Sequence, residues 1–277
     1  MHGSHPGRLM ASRLVTARLA DGVALPFVER GPVQGMAVVF LHGFGDHWRS
    51  FAPVLPRLRG DLRAFALTLR GHGGASQPEA GYAIADLADD VLGFLDTQQL
   101  DRVVLTGHSL GSAVALELAL RAPERVAGLI LAPGFASLTG PAIEELRAAV
   151  HGLSDPIDET FVAMVQEQAR EPHLPPGLFA AMVDHSLAMP ARVWRAVIDA
   201  VCDFDVEGEL SRVKAPALLI WGARDAFVSR AAQDTLLEGL PRAELVVYRN
   251  GSHTPHWDEP VRYAAEVGRF ASRALGG

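Results

Sequence analysis

The sequence predicts an α/β chain with a mostly parallel sheet of eight strands, helices on both faces, and an inserted bundle of helices. Three observations carry this expectation. Apolar runs of strand length recur along the chain, segments of helical spacing alternate with them, and the stretch 134–205 contains no strand-like run.

The first structured stretch, 13–30, holds two short runs separated by Asp21 and Gly22, a pair favoured at tight hairpin turns. It reads as an antiparallel hairpin. After Gly31 and Pro32 comes Ala37-Val38-Val39-Phe40-Leu41, too short for a helix and continuously apolar, as a strand buried on both faces requires. Runs of the same kind occupy 63–69, 102–106, 126–132, 216–221 and 243–248. Between them, 84–95 places Leu87, Val91, Leu92 and Leu95 on one helical side and Asp86, Asp89 and Asp90 on the other. Helical patterning in the insertion covers 144–150, 158–170, 178–187 and 191–201, cut by Pro156, Pro172, Pro175, Pro176 and Pro190. The expected organisation is a core of 11–133 and 206–277 interrupted by a helical lid of 134–205.

Composition removes whole classes of function. With 277 residues, 49% of them hydrophobic and 21% charged, the chain can bury a large core and is not of the disordered type. The 25 Lys and Arg residues are outnumbered by 32 Asp and Glu, and the formal charge of -7 argues against a nucleic-acid partner held through phosphates. No run approaches the roughly 20 apolar residues of a membrane span. A single cysteine, Cys202, leaves no internal bridge and points to a reducing, cytoplasmic setting. Met1 to Gly7 lack the apolar segment of a secretory signal, and the first ten residues are left out of the fold expectation.

The most informative stretch is Gly107-His108-Ser109-Leu110-Gly111, a Gly-X-Ser-X-Gly pattern between a buried strand and the alanine-rich helix of 110–121. Such a turn lifts the serine hydroxyl above the sheet, while larger side chains at Gly107 and Gly111 would collide with their neighbours. A serine hydroxyl needs a base, and the base needs an acid to orient it. Asp225 follows the strand of 216–221, and His253 follows the strand of 243–248. Loops after the carboxyl ends of parallel strands share one edge of the sheet, so Ser109, Asp225 and His253 can converge.

Together with His42-Gly43-Phe44-Gly45 and Arg70-Gly71-His72-Gly73-Gly74-Ala75-Ser76, these motifs stand in family order, and nearly the whole chain resembles the α/β-hydrolases. The resemblance implies a serine esterase or enol-lactonase, free of cofactor and metal, acting on a small-molecule ester or lactone. It also implies an oxyanion hole of the Phe44 and Leu110 N–H groups, and an insertion that covers the site. The substrate-binding candidates are Phe44, His108 and Trp194. Trp194, Met164, Met182 and Met189 lie at apolar helical positions, where packing and pocket-lining roles both stand open.

Rival residues exist for two roles. His256 lies three positions after His253, but only His253 directly follows a small residue as the family pattern requires. Asp203 and Asp205 are alternatives to Asp225, although they precede a strand instead of following one. Ser252 occupies a place where relatives commonly carry glycine. Asp46, Trp48 and Phe51 are expected to begin a helix, with Asp46 as its cap. Carbon–carbon hydrolases usually carry Asn where His108 stands, whereas dehalogenases and epoxide hydrolases require an aspartate in place of Ser109. Ester cleavage is therefore the leading expectation, with lactone or carbon–carbon cleavage, perhydrolysis and non-catalytic binding as alternatives.

Overall fold

The computed structural model describes residues 13–168, 174 and 176–276. The expected helix end at Arg170 and the breakers Pro172 and Pro175 fall outside these residues, as do the first ten residues. The sheet comprises β1 (Arg13–Arg18), β2 (Ala24–Arg30), β3 (Met36–Leu41), β4 (Leu62–Leu67), β5 (Val103–Gly107), β6 (Val126–Leu131), β7 (Ala217–Gly222) and β8 (Ala243–Tyr248). Its spatial order is β1-β2-β4-β3-β5-β6-β7-β8. β2 is antiparallel to both β1 and β4, and every pairing from β4 through β8 is parallel.

Alternation along each strand explains the continuous apolar runs. Val39 and Leu41 of β3 join one apolar cluster with α1 (Ile84–Thr97) and α2 (Leu110–Arg121). Val38 and Phe40 point the other way, into a cluster with Val267 and Phe270 of α9 (Pro260–Leu275). Both faces of β3 are thus covered, and no polar alternation is left to read.

Between β6 and β7 lie α3 (Pro141–His151), α4 (Glu159–Gln168), α5 (Pro176–Leu187) and α6 (Ala191–Asp203). Buried residues from each of them, Ile143, Val162, Val183 and Val197, belong to the same continuous cluster as one face of the sheet. The insertion is therefore packed onto the sheet layer and shares its core. α7 (Arg230–Gly239) joins β7 to β8, and the short α8 (Pro255–Asp258) precedes α9.

One local expectation fails. No α-helix follows the loop after β3; the chain instead makes short 3₁₀ turns at Trp48–Phe51 and Leu55–Arg57. Asp46 caps neither, because Pro53 and Pro56 interrupt a longer helix and the Asp46 carboxylate is engaged elsewhere. Among the described residues, no helix is long and apolar enough to cross a membrane.

Candidate active site

The chain runs from β3 to β4 on one side and then returns to β5 on the other, which makes the carboxyl ends of β3 and β5 a topological switch point. Such ends open a crevice between diverging connections. The loops after β3 and β5 carry Phe44 and Ser109.

Ser109 has φ 50 and ψ −115, a strained backbone held by its surroundings. A Cβ at Gly111 would lie 2.2 Å from the Leu41 carbonyl oxygen, and one at Gly107 would lie 2.3 Å from the Gly111 carbonyl oxygen. The absence of side chains at both positions lets β5 and α2 meet around the serine. The His108 N–H donates to the Leu41 carbonyl at 2.9 Å and the Gly111 N–H to the His108 carbonyl at 2.8 Å, closing the turn.

Asp225 and His253 meet as a pair. His253 Nδ1 lies 2.9 and 3.0 Å from the two carboxylate oxygens of Asp225. Oδ1 of Asp225 also accepts the backbone N–H groups of Phe227 at 2.8 Å and Val228 at 3.0 Å. Burial opposes ionisation of this carboxyl, but the neighbouring His253 and these hydrogen bonds outweigh it and hold the acid below its ordinary range. The two loops approach closely at Gly222, where a Cβ would lie 2.1 Å from the Ser252 carbonyl oxygen. Ser252 itself is tied down: its N–H and hydroxyl donate to Asp258 Oδ2 at 2.6 and 2.9 Å.

Neither rival histidine nor rival acid joins this pair. His256 is fully buried and bonds Ser50 Oγ through Nε2 at 3.0 Å, with Phe51 and Tyr263 against its ring. Asp203 accepts from Arg147, and Asp205 from the Glu207 N–H.

His108 Nε2 lies 3.0 Å from the His253 carbonyl oxygen. A carbonyl can only accept, so Nε2 carries the proton and Nδ1 is a bare lone pair. Burial, reinforced by nearby His253, lowers the His108 pKa to about 3, and the ring is neutral. His42 is held in the opposite tautomer: its Nε2 accepts the Leu69 N–H at 3.0 Å and its Nδ1 donates to the Gly43 carbonyl at 2.8 Å. It braces the loop that presents Phe44. Among the described residues, the backbone N–H groups of Phe44 and Leu110 have no acceptor within the protein.

Ser109, His253, His108 and Phe44 line a cavity that is partly open to solvent. Ile143 and Leu146 of α3, Val165 and Gln166 of α4, and Ile198 and Val201 of α6 bring the insertion into its wall. Leu138, Phe227, Thr254 and Trp257 complete it together with Asp46. Sequence patterning did not single out these insertion residues, because each helix carries more apolar positions than face the cavity. Asp46 was visible in sequence only as a cap candidate.

Trp194 is not in the wall. It is fully buried behind Phe44, with ring centroids 4.9 Å apart and planes at 81°. It shares one face of α6 with Ile198 and Val201, at spacings of four and seven, and stands nearer the start of the helix, where Phe44 lies against it. Met182 and Met189 are buried outside the lining and Met164 is exposed, while Cys202 is half-buried and also lies outside the cavity wall.

A strained serine turn at a topological switch point lines one cavity with a histidine clamped by an acid, an arrangement of the kind that hydrolases on α/β scaffolds use. Residues 38–266 match the alpha/beta hydrolase family, and the chain belongs to that family. One relative, provisionally named carbamate hydrolase RutD, from Variovorax paradoxus (strain S110), is 32% identical over 261 residues, covering 90% of this chain and 96% of its own. 3-Oxoadipate enol-lactonase 2 of Acinetobacter baylyi is 25% identical over 251 residues, 88% of this chain and 91% of the relative. The crystal structure of the esterase RhEst1 from Rhodococcus sp. ECU1013 superposes with a TM-score of 0.83 at 26% identity, covering 94% of this chain and 99% of that one.

Proposed function

We propose that the protein is a serine hydrolase of carboxylic esters working through an acyl-enzyme. The observation that carries this reading is Ser109, strained at the elbow on the wall of a cavity shared with His253, whose Nδ1 is clamped by the Asp225 carboxylate. Asp225 accepts the Nδ1 proton, which leaves the Nε2 lone pair of His253 as the base. His253 takes the Ser109 proton as Oγ bonds to the ester carbon, and the carbonyl electron pair moves onto oxygen. The free N–H groups of Phe44 and Leu110 are the donors for that oxyanion, an interaction typically worth about 3–4 kcal/mol of barrier per donor. The leaving alkoxide departs with the proton from His253. Water then attacks the acyl carbon, giving its proton to His253, and Ser109 recovers that proton as the acid is released.

In this reading residues 134–205 form a lid whose α3, α4 and α6 shape the pocket. The single cysteine fits a cytoplasmic setting. A lactone is a second reading, supported by the enol-lactonase relative, because both halves of a cyclic ester remain together in one cavity.

The test is labelling by a fluorophosphonate, followed by turnover of p-nitrophenyl esters of rising chain length and of small lactones. Labelling at Ser109 is expected, with loss of turnover by several orders of magnitude in Ser109→Ala, as for other triads. Unlabelled wild-type protein, or an active Ser109→Ala variant, overturns the assignment. Lactones cleaved in preference to every linear ester favour the second reading.

A further inference from the structure

Most of the cavity wall contributed by the insertion is apolar, and Asp46 breaks the pattern. Its side chain is only 4% exposed, and it lies two residues beyond Phe44 on the loop that faces Ser109. The reaction does not use it, since Asp225 already supplies the acid.

A buried carboxylate is costly unless hydrogen-bond donors surround it, and it can accept about four. The donors found here are few. Ser50 Oγ donates to Oδ2 at 3.0 Å, and Gln166 Nε2 reaches Oδ1 at a long 3.4 Å. Ser50 Oγ also lies 3.0 Å from His256 Nε2, which can donate to it, so the Ser50 proton is committed to Asp46 and supplies Oδ2 with one donor. Gln166 Nε2 is shared with Ser186 Oγ at 3.2 Å and the Gly45 carbonyl at 3.5 Å. His108 Nδ1 lies 3.9 Å from Oδ2, and because its proton resides on Nε2 it offers a lone pair and no donor. The loop has therefore placed an under-donated carboxyl on the wall of a substrate cavity.

We propose that Asp46 is a specificity-determining residue that accepts a hydrogen bond from an N–H or O–H group of the substrate, selecting esters that carry such a donor over hydrocarbon isosteres. This rests on the ester-hydrolase reading. Burial raises the Asp46 carboxyl to about 7, against the pull of Ser50, Gln166 and His253. The groups facing it are Ser50 from the 3₁₀ turn, Gln166 from α4, His108 from the elbow, His253 from the loop after β8 and, through Ser50, His256 from α8. No Lys or Arg is among them. A neutral donor is accordingly bound most strongly above neutral pH, where the carboxyl is ionised.

Two matched pairs of esters test this. p-Nitrophenyl N-acetylglycinate and 4-oxopentanoate differ only by N–H against CH₂, as do the N-acetyl-β-alaninate and 5-oxohexanoate, which move the donor by one bond. At pH 8 the wild type is expected to favour the amide member of at least one pair by about tenfold in kcat/KM, equivalent to about 1.4 kcal/mol. Asp46→Leu is expected to bring that ratio to near one, and Asp46→Asn, matched in size with one acceptor retained, to an intermediate value. Fluorophosphonate labelling of Ser109 reports an assembled site in each variant, and the Asn variant carries the test if the Leu variant does not fold. Ratios within twofold for both pairs in a labelled, active wild type overturn the subsite and leave the ester-hydrolase reading standing. A ratio unchanged in both variants overturns it too. Failure of the wild type to label at Ser109 removes both readings, whereas a labelled wild type that turns over none of the four esters overturns the subsite alone.

Discussion

Ser186 of α5 donates to the carbonyl oxygen of Gly45 at 2.5 Å, so a helix of the insertion is bonded to the loop that presents Phe44. Ser186 is fully buried, and its hydroxyl also lies 3.0 Å from the Met182 carbonyl in its own helix. One proton serves two carbonyls, with the shorter contact across the interface. Trp194 packs on Phe44 from α6 and Gln166 reaches the same loop from α4. Helices α4, α5 and α6 thus converge on one turn of the core.

Removing that hydroxyl leaves the Gly45 carbonyl with only the distant Gln166 amide. Ser186→Ala is expected to lower unfolding free energy by about 1–3 kcal/mol, the cost of stranding a buried polar group. Urea denaturation followed by circular dichroism measures it. A variant as stable as wild type would show that the contact contributes nothing net.

The elbow makes a sharper steric prediction. Gly111→Ala drives a methyl to within 2.2 Å of a backbone oxygen that cannot move aside, so β3 and α2 must separate. Loss of more than about 4 kcal/mol, or failure to fold, is expected, in the range reserved for severe core lesions. Gly177→Ala provides the control, since nothing lies within 4 Å of its added Cβ. In a helix it should be neutral or gain up to about 1 kcal/mol. Thermal melts of the two proteins side by side distinguish them, and equal effects would contradict the packing at the elbow.

Buried histidines should make the fold acid-labile. Burial lowers His47 and His108 to about 3 and His72 to about 4, and takes His42 and His256 well below the ordinary value of 6.5. Between those folded values and 6.5, the unfolded chain binds the extra protons, so stability falls as pH drops below 6.5. Asp46 opposes this, because its folded value near 7 exceeds the ordinary 3.8 and the native state holds its proton across that window. Six imidazoles, His185 included, outnumber the raised carboxyls of Asp46, Asp90 and Glu117, each titration contributing up to about 1.4 kcal/mol per pH unit. The melting temperature is expected to decline steeply from pH 6.5 to pH 4. Asp46→Asn, which lacks the opposing titration, should decline more steeply still, and a flat profile in either protein would contradict the burial of these rings.

Legibility in the sequence followed the range of the interaction. The run 37–41 revealed a strand because burial on both faces leaves a local signature, and β8 lies where the expected run of 243–248 placed it. The elbow was legible because two close backbone approaches require glycine at fixed offsets from Ser109. Asp46 was misread as a helix cap, since it is held by the Ser50 hydroxyl four residues on and by Gln166, which only the packing of the insertion brings to it. Trp194 was misplaced in the wall because helical spacing identifies a buried face without saying which neighbour covers it.

The sequence by itself determined the alternation of strand and helix, the helical patterning of 144–150, 178–187 and 191–201, and the residues able to act as nucleophile, base and acid. These follow from backbone periodicity and side-chain chemistry, which are carried within a few residues. Only the tertiary structure decided that His253 and not His256 meets an acid, and that Asp225 and not Asp203 or Asp205 supplies it. It alone brought Asp46 to the cavity and put Trp194 behind Phe44. Those outcomes depend on burial and on partners distant in sequence, and folding brings such partners together only through the packing of the whole chain.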